Sequence, residues 1–175
     1  MRASLSEVLA VLNIIKILVD GAILSLIASL YLFIVLYLNP RLFLQDYPED
    51  IQKAVPPKTK EEKRLSLMVG IPFLVLLFAV PFLSTLALKG QSGGNVTFLV
   101  ASLHAFGVVF IFNLVDWLLL DWVVFCAITP RFVVIPGTEG MGGYKNYFYH
   151  FRAFLIGTVF SIVAGLIIGA IVFVL

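Results

Sequence analysis

Charged residues are scarce in this sequence. They make up 13% of its 175 residues, while hydrophobic residues make up 61%. A soluble domain carries roughly 25% charged and roughly 45–50% apolar residues, so this chain cannot present a wetted surface on every side. Apolar side chains that face lipid incur no hydration penalty. The composition therefore predicts an integral membrane protein, and the length suits a single domain.

Cysteine and histidine are almost absent. Cys126 is the only cysteine, which excludes an intramolecular disulfide and a four-cysteine metal site. The two histidines, His104 and His150, are predicted at opposite ends of a helical bundle, where they cannot easily ligate one haem or metal ion together. We therefore expect no metal and no cofactor. His104 is interpreted as a hydrogen-bonded packing residue.

Basic residues are concentrated in one short segment that also carries Glu61 and Glu62. Its basic members are Lys58, Lys60, Lys63 and Arg64. Nucleic-acid binding requires a basic surface, whereas this is a mixed-charge stretch beside a predicted membrane helix, so we expect no nucleic-acid partner. The expected partners are membrane lipid and either further copies of this chain or a larger membrane complex.

Long polar stretches are few, and the apolar sequence between them falls into four runs. Each run can cross a bilayer core of about 30 Å as a helix. We predict transmembrane helices at about 18–38, 65–88, 96–122 and 153–175. The predicted fold is therefore all-α, a polytopic membrane protein with four transmembrane helices and one membrane domain over residues 1–175.

An amphipathic helix is predicted before the first span, over residues 4–18. Ser4 and Glu7 form a capping box that would open it. Lys16 and Asp20 are spaced one turn apart and can form an ion pair. The first span therefore begins as a polar helix and becomes apolar near residue 20.

Two long loops lie on the same side of the predicted bundle, at 39–64 and 129–152. The first contains a predicted short helix from Pro48 to Val55, and Thr59 with Glu62 forms a capping box for the second span. The second loop is β-rich at its start and glycine-rich further on.

The second and third spans are irregular. Pro72 and Pro81 lie inside the second span, where each removes a backbone hydrogen bond and favours a kink. The third apolar run, from Val96 to Ile128, is longer than a bilayer core requires, so it must tilt, bend or emerge into the interface. Trp117 and Trp122 fit that exit, because tryptophan favours the headgroup level.

The distribution of lysine and arginine predicts an orientation. The two long loops carry nine of these residues and the opposite side carries three. This positive-inside bias places the long loops in the cytoplasm and both termini on the non-cytoplasmic side. The expected location is the plasma membrane of a prokaryote.

Small residues recur every four positions along the fourth span. They are Ala153, Gly157, Ser161, Gly165 and Gly169. Such a stripe lets another backbone approach closely, since helices in lipid associate through van der Waals contact. The partner is either the first or third helix of the same chain or a second copy across a dimer.

The third span carries the residues most suggestive of chemistry. Asn113 and Asp116 share one helix face, and Asp121 follows near the cytoplasmic exit. Carboxylates inside membrane helices are costly and often mark function. In an α-helix Asp116 and Asp121 are about 140° apart, so a paired-carboxylate site is not expected. Together with His150, these aspartates are the candidate catalytic residues.

The candidate binding residues lie around the second long loop. Arg131 and Arg152 are candidates to neutralise the aspartates, as are loop amides. Glu139 and Lys145 flank a glycine-rich stretch that could cradle an anion. The stretch matches neither common nucleotide-binding glycine motif, so a conformationally demanding turn is the alternative that we favour.

Three classes of function remain, in this order. The first is a non-catalytic helical-bundle protein that self-assembles or serves as a membrane subunit. The second is an oligomeric subunit of a small-solute or proton-coupled transporter. The third is an enzyme or binder that acts on lipid headgroups at the inner leaflet, with an aspartate as base and His150 as acid.

Overall fold

The computed structural model describes residues 12–175, and no β-strand occurs among them. Its α-helices are α1 (Ile14–Leu38), α2 (Glu49–Ala54), α3 (Lys60–Gln91), α4 (Phe98–Val115) and α5 (Tyr147–Val174). A π-helix, Asp116–Ile128, continues directly from α4. Four helices are long and apolar enough to cross a membrane, namely α1, α3, α4 with its π-helix, and α5. The predicted all-α architecture with four such helices is confirmed.

The first long helix starts at a side-chain cap. Oδ1 of Asn13 accepts a hydrogen bond of 2.9 Å from the backbone N–H of Lys16. Lys16 and Asp20 then form an ion pair of 2.7 Å, as their spacing predicts. Residues 4–11 of the amphipathic helix predicted over 4–18, which include its capping box, lie outside the described residues.

The second long helix starts at the capping box that its sequence predicts. The Thr59 hydroxyl accepts from the backbone N–H of Glu62 at 3.1 Å, and the Glu62 carboxylate accepts from the backbone N–H of Thr59 at 2.7 Å. α3 then stays helical through Pro72 and Pro81. Both prolines are accommodated within one helix of 32 residues.

The third long helix changes its hydrogen-bonding pattern part of the way along. From Asp116 to Ile128 the chain is a π-helix, in which hydrogen bonds join residues five apart. The segment ends at Thr129, whose backbone N–H bonds to the carbonyl oxygen of Val124 and whose φ is 50°. The π-helix is not predicted by the hydropathy of the segment, and it changes which side chains share a face.

α4 is the central helix of the bundle, because it packs against α1, α3 and α5. Val108 belongs to a buried cluster with Leu24 of α1 and Leu77 of α3. Ala105 belongs to a second cluster with Ile168 of α5. The central position of α4 brings its polar side chains within reach of all three neighbours.

The two long loops fold onto each other at one end of the bundle, which we call the loop end. The opposite end, with residues 92–97, is the turn end. Residues 39–59 and 129–146 form a loop cap with an apolar centre. That centre contains Leu44, Tyr47, Ile51, Ile135 and Tyr144. Tyr47 donates from its hydroxyl to the carbonyl oxygen of Val133 at 2.8 Å.

The second loop differs from its prediction in two respects. Its β-rich start forms a 3-10 turn, Arg131–Val133, instead of an extended segment. The loop also ends at residue 146 and not at 152, because Asn146 caps α5 by accepting a hydrogen bond of 3.0 Å from the backbone N–H of Tyr149. The extra turns of α5 carry His150 into the bundle.

Candidate functional site

The small-residue stripe of α5 divides into two halves with different surroundings. In the half at the turn end, a methyl group added to Gly165 would lie 2.9 Å from the carbonyl oxygen of Ser102. One added to Gly169 would lie 2.7 Å from the Cα of the same Ser102. This half is therefore covered by α4 of the same chain.

In the half at the loop end, the stripe lines a cavity of about 180 Å³ between α3, α4 and α5, which we call the Asp116 cleft. Ala153, Gly157 and Ser161 form one wall. Asn113 and Asp116 form the polar floor. The structure thus brings together three predicted packing residues and two predicted site residues.

α3 contacts both α1 and α5. Near the loop end it packs on α1, where the Tyr31 hydroxyl donates to the carbonyl oxygen of Val69 at 2.7 Å. Toward the turn end it packs on α5, where the rings of Phe78 and Phe160 lie 5.6 Å apart. Ala153, which lies nearest the loop end in the cleft wall formed by α5, is exposed.

The donors on the side chains of Asn113 and Ser161, which line the cleft, are already engaged. Nδ2 of Asn113 donates to the carbonyl oxygen of Phe154 at 3.2 Å and to the hydroxyl of Thr158 at 3.1 Å. The hydroxyl of Ser161 donates to the carbonyl oxygen of Gly157 at 2.7 Å. Within residues 12–175 no group donates to the carboxylate of Asp116. The polar atoms left over are Oδ1 of Asn113, which is an acceptor, and the carboxyl oxygens of Asp116.

The expectation that Asp116 and Asp121 lie on different faces is wrong, because it assumes an α-helix. Both residues belong to the π-helix, whose hydrogen bonds join residues five apart and so bring positions i and i+5 onto one side. Asp116 lines the cleft beside α5, and Asp121 contacts His150 of α5. The segment therefore presents two carboxyl groups toward α5.

Asp121 is paired with His150 and not with an arginine. Nδ1 of His150 lies 2.9 Å from Oδ1 of Asp121. A carboxylate can only accept, so Nδ1 carries a hydrogen and Nε2 of neutral His150 carries a lone pair. Nε2 is buried without a partner among the described residues. The His150 ring also packs on Phe125, with 5.0 Å between ring centroids.

The two candidate arginines do not neutralise the aspartates. Arg131 and Arg152 are exposed, and within residues 12–175 neither forms an ion pair with Asp116 or Asp121. Loop amides do not reach these carboxylates either. The expectation that arginines or amides satisfy both aspartates is therefore wrong for the described part of the chain.

The glycine-rich loop is closed by side chains of the protein itself. The carboxylate of Glu139 accepts from the backbone N–H of Gly137 at 3.0 Å, and Asp50 accepts from that of Gly143 at 2.8 Å. Gly137 and Gly140 have positive φ values of 87° and 77°. These amides already have carboxylate partners, which supports a demanding turn over an anion cradle.

Lys145 is directed away from the glycine-rich loop. Its Nζ donates to the carbonyl oxygens of Cys126 and Ala127 at 2.5 and 3.2 Å, and to the hydroxyl of Thr129 at 2.8 Å. The ammonium group therefore caps the C-terminal end of the π-helix, where unpaired carbonyl groups favour a cation. These contacts take the charge of Lys145 away from the loop amides, beside which it could have added to an anion cradle.

A second polar centre lies in the half of the bundle at the turn end. The hydroxyl of Ser84 is 2.5 Å from Oδ2 of Asp20 and 2.7 Å from Nε2 of His104. Asp20 also binds Lys16. Lys16, Asp20 and His104 stand out in the sequence, whereas a role for Ser84 was not predicted. The signal was present, since Ser84 and Thr85 are the only polar side chains between residues 67 and 88.

The chain is thus a bundle of four helices long enough to cross a membrane, with one polar centre in each half. Comparison with protein-family models, with curated proteins and with solved structures gives no match.

Proposed function

We propose that the chain is a non-catalytic membrane protein that binds the cationic head of an amphipathic molecule in the Asp116 cleft. The single observation that carries this proposal is the cleft itself. Its floor holds the carboxyl group of Asp116, to which no group in residues 12–175 donates, and Ala153 in its wall is exposed. Polar groups at this depth of a membrane protein are costly unless a partner satisfies them.

The chemistry of the floor selects a ligand that donates hydrogen bonds. An ammonium group supplies hydrogens for the oxygen acceptors, and its positive charge would favour the ionised form of Asp116. A phosphate would bring negative charge and further acceptors to a site that has no free donor. The proposed ligand class is therefore a primary amine and not an anionic head group.

The size of the cleft limits how much of the ligand enters. Pockets for drug-sized molecules are about 300–1,000 Å³, whereas this cleft holds about 180 Å³. It suits a head group and not a whole lipid. The apolar chains of the ligand would stay in the bilayer beside the exposed side chains of α3 and α5. The predicted cytoplasmic position of the loop end would place this site in the inner leaflet.

The other functional classes receive less support. The buried cluster with Leu24, Leu77 and Val108 separates the cleft from the polar centre at the turn end, so no polar path crosses the described bundle. A headgroup enzyme would need His150 to reach its substrate, but Nε2 of His150 is buried. Gly157, Gly165 and Gly169 are all covered by α4, which leaves Ala153 as the exposed member of the stripe for an assembly partner.

Native mass spectrometry of the full chain from mild detergent tests the proposal. Phosphatidylethanolamine has a primary ammonium, phosphatidylcholine has a cation without N–H donors, and phosphatidylglycerol is anionic. We expect retention in that order. Asp116→Asn keeps the shape of the side chain but removes its charge, and it is expected to lower ethanolamine-lipid retention at least about tenfold, since a charge-assisted pair contributes about 1.5–3 kcal/mol. Glu61→Gln, an exposed carboxylate on α3, is the matched control.

Two results would contradict lipid-amine binding. Equal retention of the ethanolamine and glycerol lipids would exclude selection by charge. Unchanged retention in Asp116→Asn would show that the carboxylate is not the recognised group. A dimer of the wild-type chain that dissociates in Asp116→Asn, with no lipid retained by either protein, would instead indicate a partner helix as the occupant.

A further inference from the structure

Four side chains at the turn end form one hydrogen-bonded series, Lys16–Asp20–Ser84–His104, which we call the polar chain. It joins α1, α3 and α4. Nζ of Lys16 lies 2.7 Å from Oδ2 of Asp20, and the hydroxyl of Ser84 lies 2.5 Å from the same oxygen. The side chains of Lys16 and Asp20 are 18% and 20% exposed, whereas His104 is fully buried. The polar chain therefore runs from the edge of the bundle to its interior.

The direction of each hydrogen bond follows from the chemistry of the groups. The ammonium of Lys16 at 2.7 Å favours the ionised form of Asp20, which can then only accept. The hydroxyl of Ser84 has a single hydrogen, and Asp20 takes it. The oxygen of Ser84 must then accept from Nε2 of His104, at 2.7 Å. Neutral His104 is therefore held with its hydrogen on Nε2.

This assignment leaves Nδ1 of His104 as a lone-pair acceptor. The atom is buried, and no group in residues 12–175 bonds to it. A buried acceptor without a partner is unfavourable and is rare in native proteins. Over residues 153–175, α5 offers no side-chain charge to balance a proton at Nδ1, because this part of the chain contains no charged side chain.

The charged groups near His104 are few. α1 contributes Lys16 and Asp20, and α3 contributes the neutral hydroxyl of Ser84. Lys89 of α3 is engaged elsewhere, since its Nζ donates to the carbonyl oxygen of Val172 at 3.0 Å. The carboxylate of Asp20 is therefore the counter-charge available to a cationic His104, and Lys16 opposes it.

We propose that the polar chain is a proton-binding site in which Nδ1 of His104 takes up the proton. One N–H bond forms at Nδ1 and the proton comes from water. No bond within the protein breaks, because Nε2 keeps its hydrogen and continues to donate to Ser84. Asp20 attracts the imidazolium charge through Ser84, and Lys16 repels it. Because His104 is fully buried, uptake of the proton requires a local opening of the bundle.

Proton binding by His104 is separate from ligand binding in the Asp116 cleft and does not depend on it. Because the polar chain joins three helices, one protonation changes the charge at the contact between α1, α3 and α4. The two charged residues are expected to act on this protonation with opposite signs. A role for His104 in packing alone predicts no such opposition.

Nitrogen NMR of the histidine-labelled full chain in lipid nanodiscs tests the proposal, with His104→Gln to assign the signals. We expect His104 to carry its hydrogen on Nε2 at high pH and to gain a second hydrogen on Nδ1 as the pH falls. Asp20→Asn should move the midpoint of this titration to lower pH, and Lys16→Met should move it to higher pH. Each shift should be at least about 0.5 pH units, since charges within about 4–6 Å act at this scale. Ser25 is a buried serine whose hydroxyl donates to the carbonyl oxygen of Gly21, and Ser25→Ala should leave the midpoint of the His104 titration unchanged.

Several outcomes overturn the proposal. A hydrogen on Nδ1 of neutral His104 would contradict the derived bond directions. Shifts of the same sign in Asp20→Asn and Lys16→Met would indicate a general disturbance of the bundle instead of an electrostatic effect. If neither variant folds, the wild-type protein still decides, because a His104 that stays neutral until the protein unfolds is not a proton-binding site.

Discussion

Nδ1 of His150 lies 2.9 Å from Oδ1 of Asp121, and this pair joins α5 to the π-helix. Asp121 reaches His150 from a segment in which residues five apart share a face. Long π-helices are rare, and short ones are frequent at functional sites. The pair and the Lys145 cap are the polar contacts that hold this unusual segment against the rest of the loop end.

The Asp121–His150 pair is expected to stabilise the protein. His150→Gln or Asp121→Asn leaves a partly buried polar partner unsatisfied, so each should cost roughly 1.5–3 kcal/mol. The double variant should cost less than the sum of the two, because the second change removes the group that the first left unpaired. Thermal unfolding in detergent, followed by circular dichroism, measures all four proteins. Strictly additive losses would show that the two side chains do not interact.

The Lys145 cap on the π-helix is expected to contribute more to stability than a solvent-exposed ion pair does. Lys145→Met removes hydrogen bonds to three acceptors at the end of the π-helix, and should lower stability by about 1–2 kcal/mol. Lys53→Met is the matched control, because Lys53 pairs with Glu49 on the surface of α2, where both side chains are exposed. Surface pairs of this kind contribute little. Equal effects of the two substitutions would contradict the assigned role of Lys145.

The four long helices could be predicted because each rests on a local property, an apolar run bounded by polar residues. Caps such as Thr59 with Glu62 are equally local, since both partners lie within one turn. The π-helix could not be predicted in this way. A shift of hydrogen-bond partner by one residue leaves the hydropathy of 116–128 unchanged, yet it moves Asp121 onto the face of Asp116.

The polar sites were predictable as residues but not as groupings. His104 and Asp20 stand out in apolar sequence, but their link passes through Ser84, which is 64 residues from Asp20 and 20 from His104. Such a link depends on how three helices pack. The small-residue stripe likewise predicts a close approach without naming the partner, and the structure puts α4 of the same chain against Gly165.

Gly165→Leu should therefore damage the monomer itself. The added side chain would meet the backbone of Ser102 and the side chain of Phe106, and overpacking of this kind costs typically 1–3 kcal/mol or more. Gly70→Leu is the matched control, because nothing lies near the position of its added side chain in α3. We expect a lower unfolding temperature for Gly165→Leu only. Loss of a dimer with an unchanged monomer stability would contradict the intramolecular contact.

Tyr47 predicts how the loop cap responds to alkaline pH. Burial, with the nearby Tyr144 and Asp46 adding to it, raises the pKa of the Tyr47 phenol above its usual value of about 10. A group whose pKa is higher in the folded state contributes stability that is complete below the unfolded value and is lost as the pH rises toward the folded one. The hydrogen bond from Tyr47 to the carbonyl oxygen of Val133 should therefore persist through neutral pH and weaken the cap only above about pH 10.

Phenolate absorbance during an alkaline titration checks this expectation, because Tyr47 should ionise after the exposed tyrosines and together with unfolding of the loop cap. Tyr47→Phe should remove that late component and lower stability by about 1 kcal/mol, since the Val133 carbonyl loses its donor. Tyr37→Phe is the control, because Tyr37 is exposed and lies outside the loop cap, so the late component should remain in this variant. An early ionisation that disappears in Tyr47→Phe would show that the phenol is accessible to solvent and would overturn the buried arrangement of the loop cap.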